Sequence, residues 1–349
     1  MSPKRKPVAF GLSAPLLAVG GAVLVLLGVA GGVGLDLMMQ PEPPPPTPPR
    51  APVAVNRGAP RPTIHLPEEE PSSPSVFSTQ KPEAPAPRPA EPATGPESSS
   101  APVPMLSFAV PSAVPPARPV LAIVIDDMGL DRPHTLQVIA LPGPLTVSLM
   151  TYAPDLAGLA KQARAAGHEL MVHVPMEPRD SKENPGPRAL TMAMDPTEIR
   201  STLAAGLDGW EGYVGINNHM GSRFTADRAR MDVVMGELKR RGLLWLDSKT
   251  TTDSVGSAAA RAAGVPQIER DVFLDNTQSM PAIRNEMEQA IATAKARGSA
   301  IAIGHPHEAT IAALKEMVPS LAARGVALVP VTEVLKRRQL KSVQADQAR

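Results

Sequence analysis

The chain has 349 residues and a formal net charge of +1, so there is no general electrostatic case for a nucleic-acid partner. It contains no cysteine, which excludes both a disulfide framework and a thiolate metal site. Aromatic residues are only 3% of the total, so a stacking platform for sugars would rest on few side chains; the two tryptophans, Trp210 and Trp245, both lie in the C-terminal half.

Residues 1–7 are basic, Val8 to Leu35 carries no charge, and Leu16 to Val33 is almost wholly Leu, Val, Ala and Gly. That length spans a bilayer, and Lys4, Arg5 and Lys6 before it predict a cytoplasmic N-terminus. A cleaved signal peptide is the rival, although its apolar region is normally ~7–15 residues. The expectation is a single-pass anchor over 1–40 in the inner (cytoplasmic) membrane, with the rest of the chain periplasmic or extracytoplasmic. Pro41 to Pro119 holds more than half of the 42 prolines. Such a segment buries too little apolar surface to offset its chain entropy, so it reads as a disordered, extended linker.

From Val120 to about Leu335, strand-like and helix-like stretches alternate, as in an α/β domain. Within Val120 to Gly129, Leu121 to Ile125 is apolar and rich in β-branched residues, read as a strand buried on both faces and ending in Asp126-Asp127. Asp131-Arg132-Pro133 reads as the cap of a short helix to Ala140. Further strands are expected at Leu145–Met150, Glu169–Val174, Tyr213–Asn217, Leu243–Asp247, Val272–Leu274, Ser299–Gly304 and Val326–Val329. Helices are expected at Asp155–Ala166, Asp195–Leu207, Asp227–Arg241, Ala258–Ala263, Ala282–Arg297 and Ile311–Ala323. Pro175 to Arg188 reads as a Pro-interrupted loop, and residues 336–349 as a polar tail that frays.

The chemistry gathers where strands end. The first ends in Asp126-Asp127, the third holds His173 with Glu177 four residues on, and the fourth ends in Asn217-Asn218-His219. Others end in Asp247-Ser248-Lys249, in Asp271 with Asp275, and in His305-Pro306-His307. The carboxyl edge of a parallel sheet is where α/β active sites are built. Imidazoles and carboxylates without thiolates suit zinc or another divalent first-row ion. Bland readings go to His134 on a helix surface, His168 at a helix–strand junction, His65 in the linker and Lys249 in an exposed loop.

These residues carry a resemblance. Asp126-Asp127 after an apolar strand, Gly167-His168-Glu169 leading to His173, and a strand finishing in His305 resemble the polysaccharide deacetylases. INNHMGS, RDVFLDN and AIGHPH resemble the divergent subgroup of that family, over about 120–335. The resemblance implies an irregular (β/α) barrel, with Asp126 as general base, Asp127 and His173 as metal ligands and His305 as general acid. It further implies that Asp271 or Asp275 orients a partner; His307 lies close by in sequence. The family's second metal histidine falls here on Glu177, so either Glu177 or, preferably, His219 completes the metal set. An arginine-proline-aromatic motif of active members is replaced by Asn218-His219-Met220-Gly221. The function implied is a zinc-dependent deacetylase acting on an envelope polysaccharide or peptidoglycan-type glycan. The alternatives are a non-catalytic glycan-binding or cell-wall regulatory module on the same fold, and a metal-assisted hydrolase of an ester or phosphate.

Overall fold

The computed structural model describes residues 104–347. The expected anchor and the linker up to residue 103 lie outside the described residues; within them, no helix is long and apolar enough to cross a membrane. A short helix α1 (Pro104–Ser107) precedes β1 (Val120–Met128), α2 (Arg132–Ile139), β2 (Thr146–Met150), α3 (Leu156–Ala165) and β3 (Glu169–Met176). Then come α4 (Pro196–Leu207), β4 (Tyr213–Met220), α5 (Arg228–Arg241), β5 (Leu244–Asp247), α6 (Gly256–Ala263), β6 (Gln267–Glu269) and β7 (Val272–Phe273). The chain finishes with α7 (Met280–Arg297), β8 (Ser299–Gly304), α8 (Glu308–Met317), β9 (Ala327–Leu328) and α9 (Val331–Gln347).

All ladders are parallel, in the order β6-β5-β4-β3-β2-β1-β8-β7 with β9 beside β1. The sheet curls into a half-barrel of the α/β kind. β6 and β7 are one extended stretch interrupted by Arg270-Asp271: the first half pairs with β5, and the second reaches only Ala302 and Ile303 of β8. The barrel therefore has a seam beside the lower half of β8.

Period-2 alternation divides the core into two layers. Leu121, Ile123 and Ile125 of β1 face outward into the cluster shared with the surrounding helices. Val120, Ala122 and Val124 face the barrel interior with Met171, Leu244, Leu246, Ile301 and Ile303. Val331, Val334 and Leu335 of α9 belong to that inner cluster and plug the barrel floor.

Several boundaries differ from the sequence reading. β3 continues through Pro175 because β2 has already ended opposite His173, so the missing N–H interrupts no ladder there. β4 continues through Asn217-Asn218-His219 to Met220. β6 lies in a stretch to which no strand was assigned. The fraying tail is instead helix α9: Arg337 pairs with Glu333 one turn back and donates to the carbonyls of Val114 and Arg118. The last part of the expected linker is likewise packed. Met105, Phe108 and Val114 rest on the inner cluster, and buried Glu169 accepts from Val110 N and from Thr332 N.

Candidate active site and metal centre

Above the inner apolar layer, the next inward position on three strands becomes titratable: Val124 gives way to Asp126, Met171 to His173, and Ile303 to His305. Asp127 joins them through a bulge. Ile125 to Met128 on β1 spans three steps while its partners Val147 to Leu149 span two. Asp127 takes up the extra residue in left-handed backbone, φ 54°. Both carboxylates consequently line a single cleft of about 680 Å³, with His173, His219, Ser248, Arg270, Asp275, His305 and His307 also on its wall.

Asn217 organises the centre. Its carbonyl oxygen accepts from Ser148 Oγ at 2.6 Å and pairs with His173 Nδ1 at 2.8 Å. Its amide donates to both oxygens of Asp126, at 2.8 and 3.0 Å, and to Ser248 Oγ. An amide oxygen only accepts, so the His173 proton sits on Nδ1, and Nε2 of the neutral ring presents its lone pair to the cleft. That nitrogen lies 3.3 Å from Asp127 Oδ1, and His219 Nδ1 lies 2.8 Å from the same oxygen. Asp127 Oδ1 is nonetheless buried without a hydrogen bond. A lone pair and an orphaned carboxylate oxygen at that separation repel unless a proton or a metal ion stands between them. Two imidazoles and one carboxylate, with donor atoms all within 4.8 Å of one another, fit a divalent cation with a further position left open.

Burial pushes the Asp126 carboxyl above its ordinary value, with the His173 and His305 charges and the Asn217 bonds opposing. Burial would also raise Asp127, but the close approach and charge of the His173 and His219 imidazoles hold it well below the usual carboxylate range. Burial alone would depress His173; the charge of Asp126 and contact with Asp127 reverse that and raise it. Across the cleft His305 Nδ1 lies 3.0 Å from Asp275 Oδ1, while Asp275 Oδ2 accepts from His305 N and Thr310 Oγ1. Burial works against the imidazolium, yet Asp275 pushes His305 up to about 9. Asp275, His305 and His307 form a second group close enough for a cation, but both Asp275 oxygens are already engaged by His305 and Thr310, which leaves an imidazole held by an orienting carboxylate.

Two candidates lie elsewhere. Glu177 spends its carboxylate on Met192 N and Arg223, so it holds a loop rather than facing His173. Asp271 accepts from Ile301 N and pairs with Arg297 and Arg338, away from His305. Both tryptophans are buried in the outer core and offer no stacking surface. His168 is buried at its junction, pairing with Leu145 N and Ile139 O. Sequence reasoning placed Asn217 at a strand end but gave it no role, and missed Ser148 and Arg270; for Asn217, its spacing two residues before His219 on one strand was the available signal.

The family model described as divergent polysaccharide deacetylase matches residues 123–335. The chain belongs to that family. The uncharacterized protein YibQ of Escherichia coli (strain K12) is 39% identical to it over 221 residues, covering 63% of this chain and 68% of that protein. An uncharacterized protein of Haemophilus influenzae is 34% identical over 200 residues, covering 57% of this chain and 71% of that one. The crystal structure of the uncharacterized protein ATU2773 from Agrobacterium tumefaciens C58 superposes with a TM-score of 0.64 at 27% identity, covering 66% of this chain and 94% of that one. Within this member of the divergent polysaccharide deacetylase family, the bulged Asp126-Asp127 pair and the two histidines beside it all fall inside the matched residues.

Proposed function

We propose that the chain is a zinc-dependent hydrolase, anchored in the inner membrane by its N-terminus and exported beyond it, that removes N-acetyl groups from an envelope glycan. The observation that carries this reading is the orphaned, buried Asp127 Oδ1 with two imidazole nitrogens beside it, set between a buried carboxylate and a charged histidine. Asp127, His173 and His219 would hold the ion. When bound, a divalent cation supplies Lewis acidity, polarising a carbonyl and lowering the pKa of water toward ~7. Asp126, its basicity increased by burial, accepts the proton of the attacking water. His305, kept protonated by Asp275, donates a proton to the departing amine.

Metal content of the purified full chain tests the centre. One zinc per chain is expected, lost in His173→Ala and His219→Ala and retained in Glu177→Ala; zinc that survives both histidine changes would sink the assignment. Asp126→Asn is expected to keep its metal and lower acetate release from N-acetylated oligosaccharides by about 100–10,000-fold. The glycan-binding module becomes the better reading where the metal-bound chain binds oligosaccharide equally well with and without Asp126 and neither form releases acetate. Membrane fractionation before and after deletion of residues 1–40 tests the anchor: the deleted chain should leave the membrane fraction.

A further inference from the structure

A second cleft, of about 880 Å³, occupies the seam where the ladder passes from β5 to β8. It adjoins the reaction cleft, because Lys249 and Arg270 line both. Its charge is one-sided. The cations on its wall are Lys249, Arg261, Arg270, Arg297 and Arg338, against the carboxylates of Glu269 and Asp271. Asp271 is shared between Arg297 and Arg338 and also accepts from Ile301 N; Glu269 serves Lys249.

Arg270 stands at the junction; among the described residues it forms no direct ion pair, although Asp126, Asp247 and Asp271 lie near enough to act on its charge. Its Nε donates to Ser248 O at 2.8 Å and one terminal nitrogen to Lys249 O at 3.0 Å. The guanidinium plane also lies over Phe273, 4.9 Å from the ring centroid. Backbone carbonyls and an aromatic face fix a cation in place without neutralising it, which makes it a preorganised anion receptor. No step of the proposed hydrolysis uses it.

We propose that the seam cleft is an anion-recognising subsite that receives a carboxylate or phosphate carried by the glycan strand next to the N-acetylated sugar being processed. Arg270 reads the anion at the junction, and Arg261 extends the positive field along the seam. The substrate is then an acidic N-acetylated glycan rather than a neutral one. This rests on the hydrolase reading for the identity of the strand, but its test needs no turnover.

The test is binding of three N-acetylated pentasaccharides of equal length to the full chain, followed by titration calorimetry: one neutral, one carboxymethylated and one phosphorylated. Acetate release is measured in parallel. At low salt at least one acidic strand should bind roughly tenfold tighter than the neutral strand, with the advantage fading as salt rises. Arg270→Gln should remove most of that advantage; Arg261→Gln, on an exposed residue with no ion pair among the described residues, should reduce it while leaving the fold intact. Which acidic strand is preferred identifies the anion. Equal affinity for all three strands in the wild-type chain would overturn the subsite, even where acetate is released. Charge-selective binding without acetate release would support the subsite and count against the hydrolase.

Discussion

Asn217 makes the clearest single-residue case, since its one amide serves the Asp126 carboxylate, the His173 imidazole and two serine hydroxyls. Asn217→Leu keeps the volume and removes every one of those bonds. Orphaning buried Asp126 and His173 is expected to cost about 1–3 kcal/mol for each group. Metal affinity should fall by about 10–100-fold, as when an orienting partner is removed from a ligand; unchanged zinc affinity would show that His173 is oriented by packing alone. The pH profile belongs to the same scale. His305 is raised from 6.5 to about 9, so it remains the charged acid through neutral pH, and acetate release should fall as pH rises through about 9. The stabilisation from its pairing with Asp275 is fully present below 6.5 and is lost as pH rises through about 9. Asp275→Asn should move the alkaline limb downward, whereas an alkaline limb that stays in place would exclude His305 as the acid. On the acid side, activity should be lost as pH falls through the raised pKa of Asp126, above its ordinary 3.8.

At the scale of elements, two bulges set the active edge. The first, in β1, puts Asp126 and Asp127 on the same side, where plain alternation would send one outward. The second lies in β4, where Tyr213 to Ile216 spans three steps against two from Leu170 to Val172. It shifts the inward face from Val214 to Asn217 and His219. Gly215 sits in that bulge, and a Cβ there would lie 2.4 Å from Leu244 O, so only glycine lets β4 and β5 approach. Gly215→Ala is expected to destabilise the chain by about 1–3 kcal/mol, as overpacking does, and to weaken zinc binding because His219 moves with β4. Denaturant unfolding alongside zinc titration checks both; a variant with wild-type midpoint and affinity would show that the strands tolerate the shift. Gly129 follows the first bulge at φ +99° with Ala153 Cβ only 2.5 Å from where its own Cβ would be, so the β1 turn is equally intolerant of a side chain.

At the largest scale, the domain formed by the described residues is closed from below by segments outside the barrel strands. Thr146 on the inner face of β2 accepts from Val331 N, and Glu169 from Thr332 N and Val110 N, so α9 and the segment before β1 are fastened to one floor. Burial raises the Glu169 carboxyl despite those bonds, which marks the floor as a dry environment. A fragment cut to 120–335 would lose Met105, Phe108 and Val114 from the inner cluster together with the Arg337 and Arg338 contacts. Half-buried, the three side chains together contribute on the order of 3 kcal/mol, and at 2–4 °C per kcal/mol for a domain of this size the fragment should melt roughly 6–12 °C below 104–347. Calorimetry of the two fragments measures the difference; equal melting temperatures would make the floor segments dispensable.

By itself the sequence determined the alternation of strands and helices, the family, and three of the inward groups. Asp126, His173 and His305 each follow an apolar inward residue two positions earlier, and that period is written along the chain. The tertiary structure decided the rest. His219 rather than Glu177 faces Asp127 because β4 lies beside β3 with His219 opposite Pro175, whereas Glu177 has passed the strand end and bonds its own loop. Asp275 rather than Asp271 orients His305 because the ladder change at the seam turns Asp271 toward Ile301 and α9. Asp127 turns inward only through a bulge, whose extra residue is defined by the register of β2. The packing of α9 and residues 104–119 depends on partners more than a hundred residues away for Arg337, which no local pattern records. Propensity and periodicity act between neighbours in sequence, while register, bulges and cross-strand partners are relations between residues that become neighbours only when the sheet has assembled around them.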